Sequence, residues 1–122
     1  LQSAENQEKS LNRKNKKFKK IRIISSNYKI TYHKELNDEK GNLDGRISET
    51  WKEILVRNSM PYQRTLQVIM HESMHGIKFE MCLNGSEENI NILITTGVTC
   101  FIRDNPEFII EYIRVLNRKE IK

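Results

Sequence analysis

The chain has few of the residues that staple, break or anchor a fold. Two cysteines in 122 residues cannot build a disulfide scaffold, and Cys82 and Cys100 read as reduced thiols rather than a bridge. Two prolines and five glycines exclude collagen-like and low-complexity classes. No apolar run approaches the ~18 residues that a membrane-spanning helix needs. The polar first residues carry no signal-peptide pattern, so the cytoplasm is the expected compartment. Acidic residues are also in deficit, 16 against 21 Lys and Arg, and the excess has one source. Arg13, Lys14, Lys16, Lys17, Lys19 and Lys20 crowd a single stretch. Residues 1–19 therefore read as a disordered basic leader and 20–122 as one domain. A nucleic-acid contact is the rival reading of such a run. It is set aside because the rest of the chain is close to charge balance and only Phe18 interrupts the lysines.

After Lys20 the pattern changes. Ile21 and Ile23, then Tyr28, Ile30 and Tyr32, alternate across Ser25-Ser26-Asn27 as in a β-hairpin. Asn37 to Gly45 is polar and reads as a loop. Short strands follow at Arg46–Thr50 and Glu53–Arg57. Ser59 and Pro61 are placed to cap and open a helix that runs to about Met81. Asn84-Gly85 breaks it, and Ser86 caps a second helix with Glu87 and Glu88 in its first turn. That helix carries a stripe of Ile90, Leu93, Ile94, Gly97, Val98 and Phe101, and Gly97 would admit a close neighbour. Asn105-Pro106 opens a third, with Phe108, Ile109, Tyr112, Ile113 and Leu116 on one side. Strands first and helices last, with no internal repeat, predict an α+β domain with a small, mostly antiparallel sheet.

The first helix contains His71-Glu72-Ser73-Met74-His75, the H-E-x-x-H pattern of zinc hydrolases. Residues four apart on a helix share a face, so both imidazoles can reach one tetrahedral ion, while Glu72 can meet a water there without being a ligand. Three His and thirteen Glu in this chain would produce the pattern by chance roughly 0.008 times. Tyr62, Leu66, Ile69, Met70, Ser73, Ile77 and Met81 form a core stripe, with His71 and His75 opposite. Val68 and Phe79 share the histidine side, which predicts a covered cleft rather than open solvent there.

A catalytic zinc takes three protein ligands. His33 lies far away in the hairpin, and the spaced His of metzincins is excluded by Lys78 and Met81. Cys82 is two turns beyond His75, ~10 Å along the axis. A carboxylate remains. Helical geometry turns Glu87 inward with Ile90 and turns Glu88 and Glu80 away. A plain first-turn carboxylate serving the helix dipole is the alternative role for Glu87.

These residues resemble the small phage-type members of the ImmA/IrrE-like zinc metallopeptidase superfamily. The resemblance runs from Ile21–Tyr32 through Asp44-Gly45-Arg46-Ile47 and Pro61-Tyr62-Gln63-Arg64 to the histidine motif. It continues through Glu87-Glu88-Asn89-Ile90 to Arg103-Asp104-Asn105-Pro106-Glu107. It implies a minimal zincin-like fold, a twisted sheet packed on the motif helix with two further helices. It also implies Zn2+ as cofactor, His71, His75 and Glu87 as ligands, and Glu72 as catalytic base. Larger relatives cut repressor proteins, so a protein or peptide substrate, of which a repressor is one, and a phage or mobile-element setting are implied. Gly76 departs from the Ala usual in relatives, and the spacing from His75 to Glu87 is shorter. The function expected is peptide-bond hydrolysis by a metal-activated water. The alternative is a catalytically silent zinc-binding interaction module. Tyr62, Tyr112 and His33 are the available oxyanion donors.

Overall fold

The computed structural model describes residues 15–118, and its architecture is α+β. Alternation after Lys20 becomes the antiparallel hairpin β1 (Lys20–Ile23) and β2 (Ser26–His33), with Ile21 opposite Tyr28. β5 (Gly45–Ser48) and β6 (Glu53–Arg57) form a second antiparallel pair. The two pairs join through a parallel ladder, β2 on β6, with Ile30 beside Ile54 and Tyr32 beside Val56. The sheet order is therefore β1-β2-β6-β5, mixed at its centre and antiparallel on both sides. Within the expected loop lies a two-stranded ribbon, β3 (Asn37–Asp38) with β4 (Gly41–Asn42).

Period-two patterning turns Ile21, Ile23, Tyr28, Ile30, Ile54 and Val56 to one face, where they are buried. The helix α1 (Tyr62–Glu80) covers that face, packing against β1, β5 and β6. Its Leu66, Ile69, Ser73 and Ile77 are fully buried, as the stripe predicts. The start differs from expectation, because Pro61 occupies the cap position and Ser59 takes a left-handed turn at φ 70°. Gly76 sits tight on the sheet, since a Cβ there would stand 2.7 Å from Ile23 Cδ1 and 3.0 Å from Ile47 Cδ1.

Ser86 caps α2 (Glu87–Ile92) as expected, its Oγ accepting from the Asn89 N–H at 3.2 Å. The chain passes through a π-helical turn, Leu93–Gly97, into α3 (Val98–Asp104), and Pro106 opens α4 (Pro106–Leu116). Gly97 allows the expected close approach, because a Cβ would lie 2.5 Å from Ile77 Cγ2. The stripe of this run is only half covered. Phe101 is buried, but Ile90 and Ile94 are exposed, and no residue of α2 is buried. On α4, Phe108 and Val115 face inward while Ile113 and Leu116 face solvent. Periodicity finds the apolar side of a helix but not whether anything lies against it.

The packed chain begins before Lys20. Phe18 is buried and meets Phe108 edge-on at 5.3 Å. Its carbonyl accepts from the Tyr32 hydroxyl at 2.7 Å, and Lys17 stands over the Tyr32 ring. One aromatic among lysines is enough to draw the segment onto the domain. Arg13, Lys14 and the rest of the proposed leader before residue 15 lie outside the described residues. No helix among the described residues is long and apolar enough to cross a membrane.

Candidate metal centre

Ser73 orients the motif. It is fully buried, and its hydroxyl donates to the Ile69 carbonyl one turn back at 2.7 Å. With Ser73 and Gly76 against the sheet, His71 and His75 must leave the other side of α1. Their Nε2 atoms converge to 3.3 Å, with the rings at 72° to each other. Two ligands on a tetrahedral zinc at 2.0–2.1 Å are separated by about 3.3–3.4 Å. The imidazole pair thus already has the spacing of a chelate. Both histidines are exposed, which corrects the expected covered cleft. Val68 is buried under β5 and Phe79 is exposed, so neither apolar residue on this side covers the histidines.

Glu72 lies in a different environment. It is half-buried and lines a cleft of ≈ 340 Å³ between α1 and the start of β5, together with His71, Asp44 and Gly45. A Cβ on Gly45 would collide with Val68 Cγ1 and come within 3.5 Å of Glu72 Cγ. Glycine here lets the strand approach the motif. Burial lifts the Glu72 carboxyl above its ordinary value, against the opposing pull of His71 and His75. A carboxyl shifted upward is a better proton acceptor than a solvated one.

The rim of this cleft is built by Asp44, which sequence reasoning did not single out for a role. Its carboxylate accepts from Arg57 Nη2 at 2.7 Å and from Arg64 Nη2 at 2.8 Å. Those bonds hold Asp44 below the usual carboxylate range and tie β6 and α1 to the loop entering β5. An Asp-Gly before a strand and an Arg in a first helical turn were visible in the sequence, but nothing local pairs them.

The other expected site residues lie elsewhere. Glu87 sits exposed on the first turn of α2, and no group of three His, Cys, Asp or Glu among the described residues is gathered closely enough to hold an ion. Glu87 is thus not brought to the histidine pair. His33 Nε2 is engaged with Thr31 Oγ1 at 2.7 Å, and that hydroxyl donates to Glu53. The Tyr62 hydroxyl lies 2.7 Å from the Lys16 carbonyl and 2.8 Å from Glu111 Oε2, and Tyr112 packs beside Phe108. Cys82 and Cys100 are both free thiols. The donor chemistry of His71 and His75 fits zinc, and no third position is assembled among the described residues.

Comparison of this chain with protein-family models, with curated proteins and with solved structures finds no match.

Proposed function

We propose that the chain is a zinc-dependent metallopeptidase of the ImmA/IrrE-like kind, cutting a protein or peptide substrate. The observation that carries this reading is the 3.3 Å convergence of the His71 and His75 Nε2 atoms beside the half-buried Glu72. His71 and His75 would hold the ion, with Glu87 as the third ligand. Zinc would supply Lewis acidity toward water and the scissile carbonyl. Glu72 accepts the proton of the attacking water and returns it to the leaving amine. The edge strand β5 borders the cleft and offers unpaired backbone groups to an extended peptide. Asp44, gripped by Arg57 and Arg64, keeps that edge at a fixed distance from α1.

Engaging Glu87 requires the α2 arm to move toward the histidines, and the arm's lack of buried residues makes that inexpensive. The two free thiols favour a reducing compartment, the cytoplasm. A repressor substrate and a phage or mobile-element setting rest on the sequence resemblance alone. The second reading, a silent zinc-binding module, is favoured by the absence, among the described residues, of a third ligand beside the pair.

Peptidase assays on wild type and Glu72→Gln, each with its zinc content measured, separate the two. The enzyme reading expects a loss of about 10²–10⁴-fold at unchanged zinc. Equal background rates with zinc bound in both proteins leave only the silent module. Titration of zinc into Glu87→Ala beside wild type tests the third ligand, and unchanged affinity removes Glu87 from the site.

A further inference from the structure

The face of the sheet turned away from α1 carries a charge pattern that the fold does not use. Alternation that buries Ile21, Ile23, Tyr28 and Ile30 turns Lys20, Arg22, Asn27 and Lys29 outward. Lys20 stands directly opposite Lys29 in the β1–β2 ladder. Like charges facing each other across a strand pair are destabilising. Neither lysine is in an ion pair among the described residues, and both are exposed, although Lys29 stands in register with an acidic residue of β6, Glu53, whose carboxylate accepts from Thr31. Arg46 adds a further exposed cation on β5.

This face continues into a groove of ≈ 770 Å³ along β1, which Lys19, Lys20, Arg22 and Asn27 line from the strand side and Asn105 from the helical side. Two carboxylates also border it, Glu107 paired with Lys16, and Asp104 paired with Arg103 and also within the field of Arg22. Asn105 gives the groove a firm wall. Its Oδ1 accepts from the Arg22 N–H at 2.8 Å and its Nδ2 donates to the Arg22 carbonyl at 2.7 Å. The Arg22 backbone is thereby satisfied, while its side chain lines the groove.

Trp51 is the chain's single tryptophan and is 79% exposed. It stands in the β5–β6 connection, next to a residue that is firmly held. The Lys52 ammonium is bound to Glu80, and the Lys52 carbonyl accepts from the Lys29 N–H at 3.0 Å. The indole is thus presented from an anchored turn at the Lys29 end of the sheet. A cationic groove combined with an exposed aromatic platform is the arrangement that binds single-stranded nucleic acid without sequence preference, phosphates on the cations and a base on the ring. An acidic polypeptide would use the cations but has no base to stack.

We infer that the uncovered sheet face, with the β1 groove and Trp51, binds single-stranded nucleic acid. Lys20, Arg22 and Lys29 hold the phosphates, and Trp51 stacks on a base. This surface is independent of the histidine site, so its failure leaves the peptidase reading intact.

The test uses the whole chain and a fluorescein-labelled oligothymidylate, followed by anisotropy over a salt series and by the emission of Trp51. Binding should weaken with salt and quench the indole. The triple variant Lys20→Ala, Arg22→Ala, Lys29→Ala should bind at least about tenfold more weakly, and the slope of log K against log salt should shrink by about 2, near 0.7 per lost phosphate contact. Trp51→Ala should cost roughly five- to 150-fold. The charge-preserving variant Lys20→Arg, Arg22→Lys, Lys29→Arg should retain binding, which separates charge from any damage to the strand. No saturable binding at low salt overturns the inference, as does binding that the triple alanine variant leaves unchanged. Polyglutamate competing as well as oligothymidylate, with Trp51 unquenched, assigns the surface to an acidic protein instead.

Discussion

Two regions of this molecule receive the same kind of sequence signal and respond differently. Where α1 lies on the sheet, Leu66, Ile69, Ile77, Ile54 and Val56 are all fully buried. Along α2 and the π-helical turn, Ile90 and Ile94 repeat at helical spacing yet remain 45% and 59% exposed. The histidine pair belongs to the first region and converges, while Glu87 belongs to the second and stands apart. A side chain is only as well placed as the packing beneath it. Under the proposed zinc reading, the contrast also explains how Glu87 would join the pair, because moving an arm with no buried side chain sacrifices little contact.

The sharpest way to break this contrast is to truncate an apolar residue in each region. Leu66, fully buried where α1 lies on the sheet, should cost about 3 kcal/mol as Leu66→Ala. Ile94→Ala should stay within about 0.5 kcal/mol. Urea unfolding of both measures the difference, and a loss above about 1.5 kcal/mol at Ile94 means the arm is packed in solution. Next in size is Asn105→Ala, which removes the side chain that satisfies the Arg22 backbone and the Phe101 carbonyl. A loss of about 2 kcal/mol is expected, and a loss near zero would mean water replaces the amide at the β1 edge.

How much of this was legible follows the same division. The α1 stripe, the first hairpin, the Ser86 cap and the Asn105-Pro106 boundary were readable because each is set by residues within a few positions of one another. The parallel pairing of β2 with β6 was not, since Lys29 and Glu53 carry no local mark of being neighbours. The same holds for Asp44 with Arg57 and Arg64, and for Glu80 with Ser26 and Tyr28. Phe18 was hidden by the lysines around it, although one ring on Phe108 outweighs their preference for solvent. The two histidines were legible because the helix itself fixes their spacing, and the exposure of their face was not, because what covers a helix face is a property of the whole fold.

The Glu80 cluster anchors the packed side and gives it a pH signature. Glu80 has a side chain only 7% exposed and accepts from Ser26 Oγ at 2.6 Å and Tyr28 OH at 2.8 Å, beside its contact with Lys52. Burial alone would raise its carboxyl, but the bonds from Lys52, Ser26 and Tyr28 outweigh it and hold the group below its ordinary value. Burial first, and then the bond to Glu80, push the Tyr28 hydroxyl up to about 12, against the opposing pull of Lys52. A folded-state value below the unfolded one stabilises the protein above the ordinary carboxylate range, and that stability is lost as pH falls through the folded value. Glu80→Gln should cost about 2 kcal/mol at neutral pH, and its gap from wild type should narrow below about pH 4.5. A gap independent of pH in urea titrations would mean that the carboxylate charge contributes nothing.

The smallest effect lies where the two regions meet. α1 ends at Glu80 with Met81 as its cap, and Cys82 takes the left-handed conformation at φ 53°. The Leu83 N–H then reaches the Lys78 carbonyl at 2.9 Å, and the Cys82 N–H reaches the Phe79 carbonyl at 3.2 Å. That is the bonding of a Schellman turn, in a position that normally belongs to glycine. The side chain at Cys82 is therefore carried at a cost, and the stop in this helix comes from the turn itself rather than from Asn84-Gly85 further on. Cys82→Gly relieves the strain but loosens the unfolded chain, so a net gain of about 0.5 kcal/mol is expected. Cys82→Val places a β-branched residue at positive φ and should lose about 1 kcal/mol or more. If the two variants melt at the same temperature, the turn does not hold this geometry in solution, and α1 is free to run on toward the arm that carries Glu87.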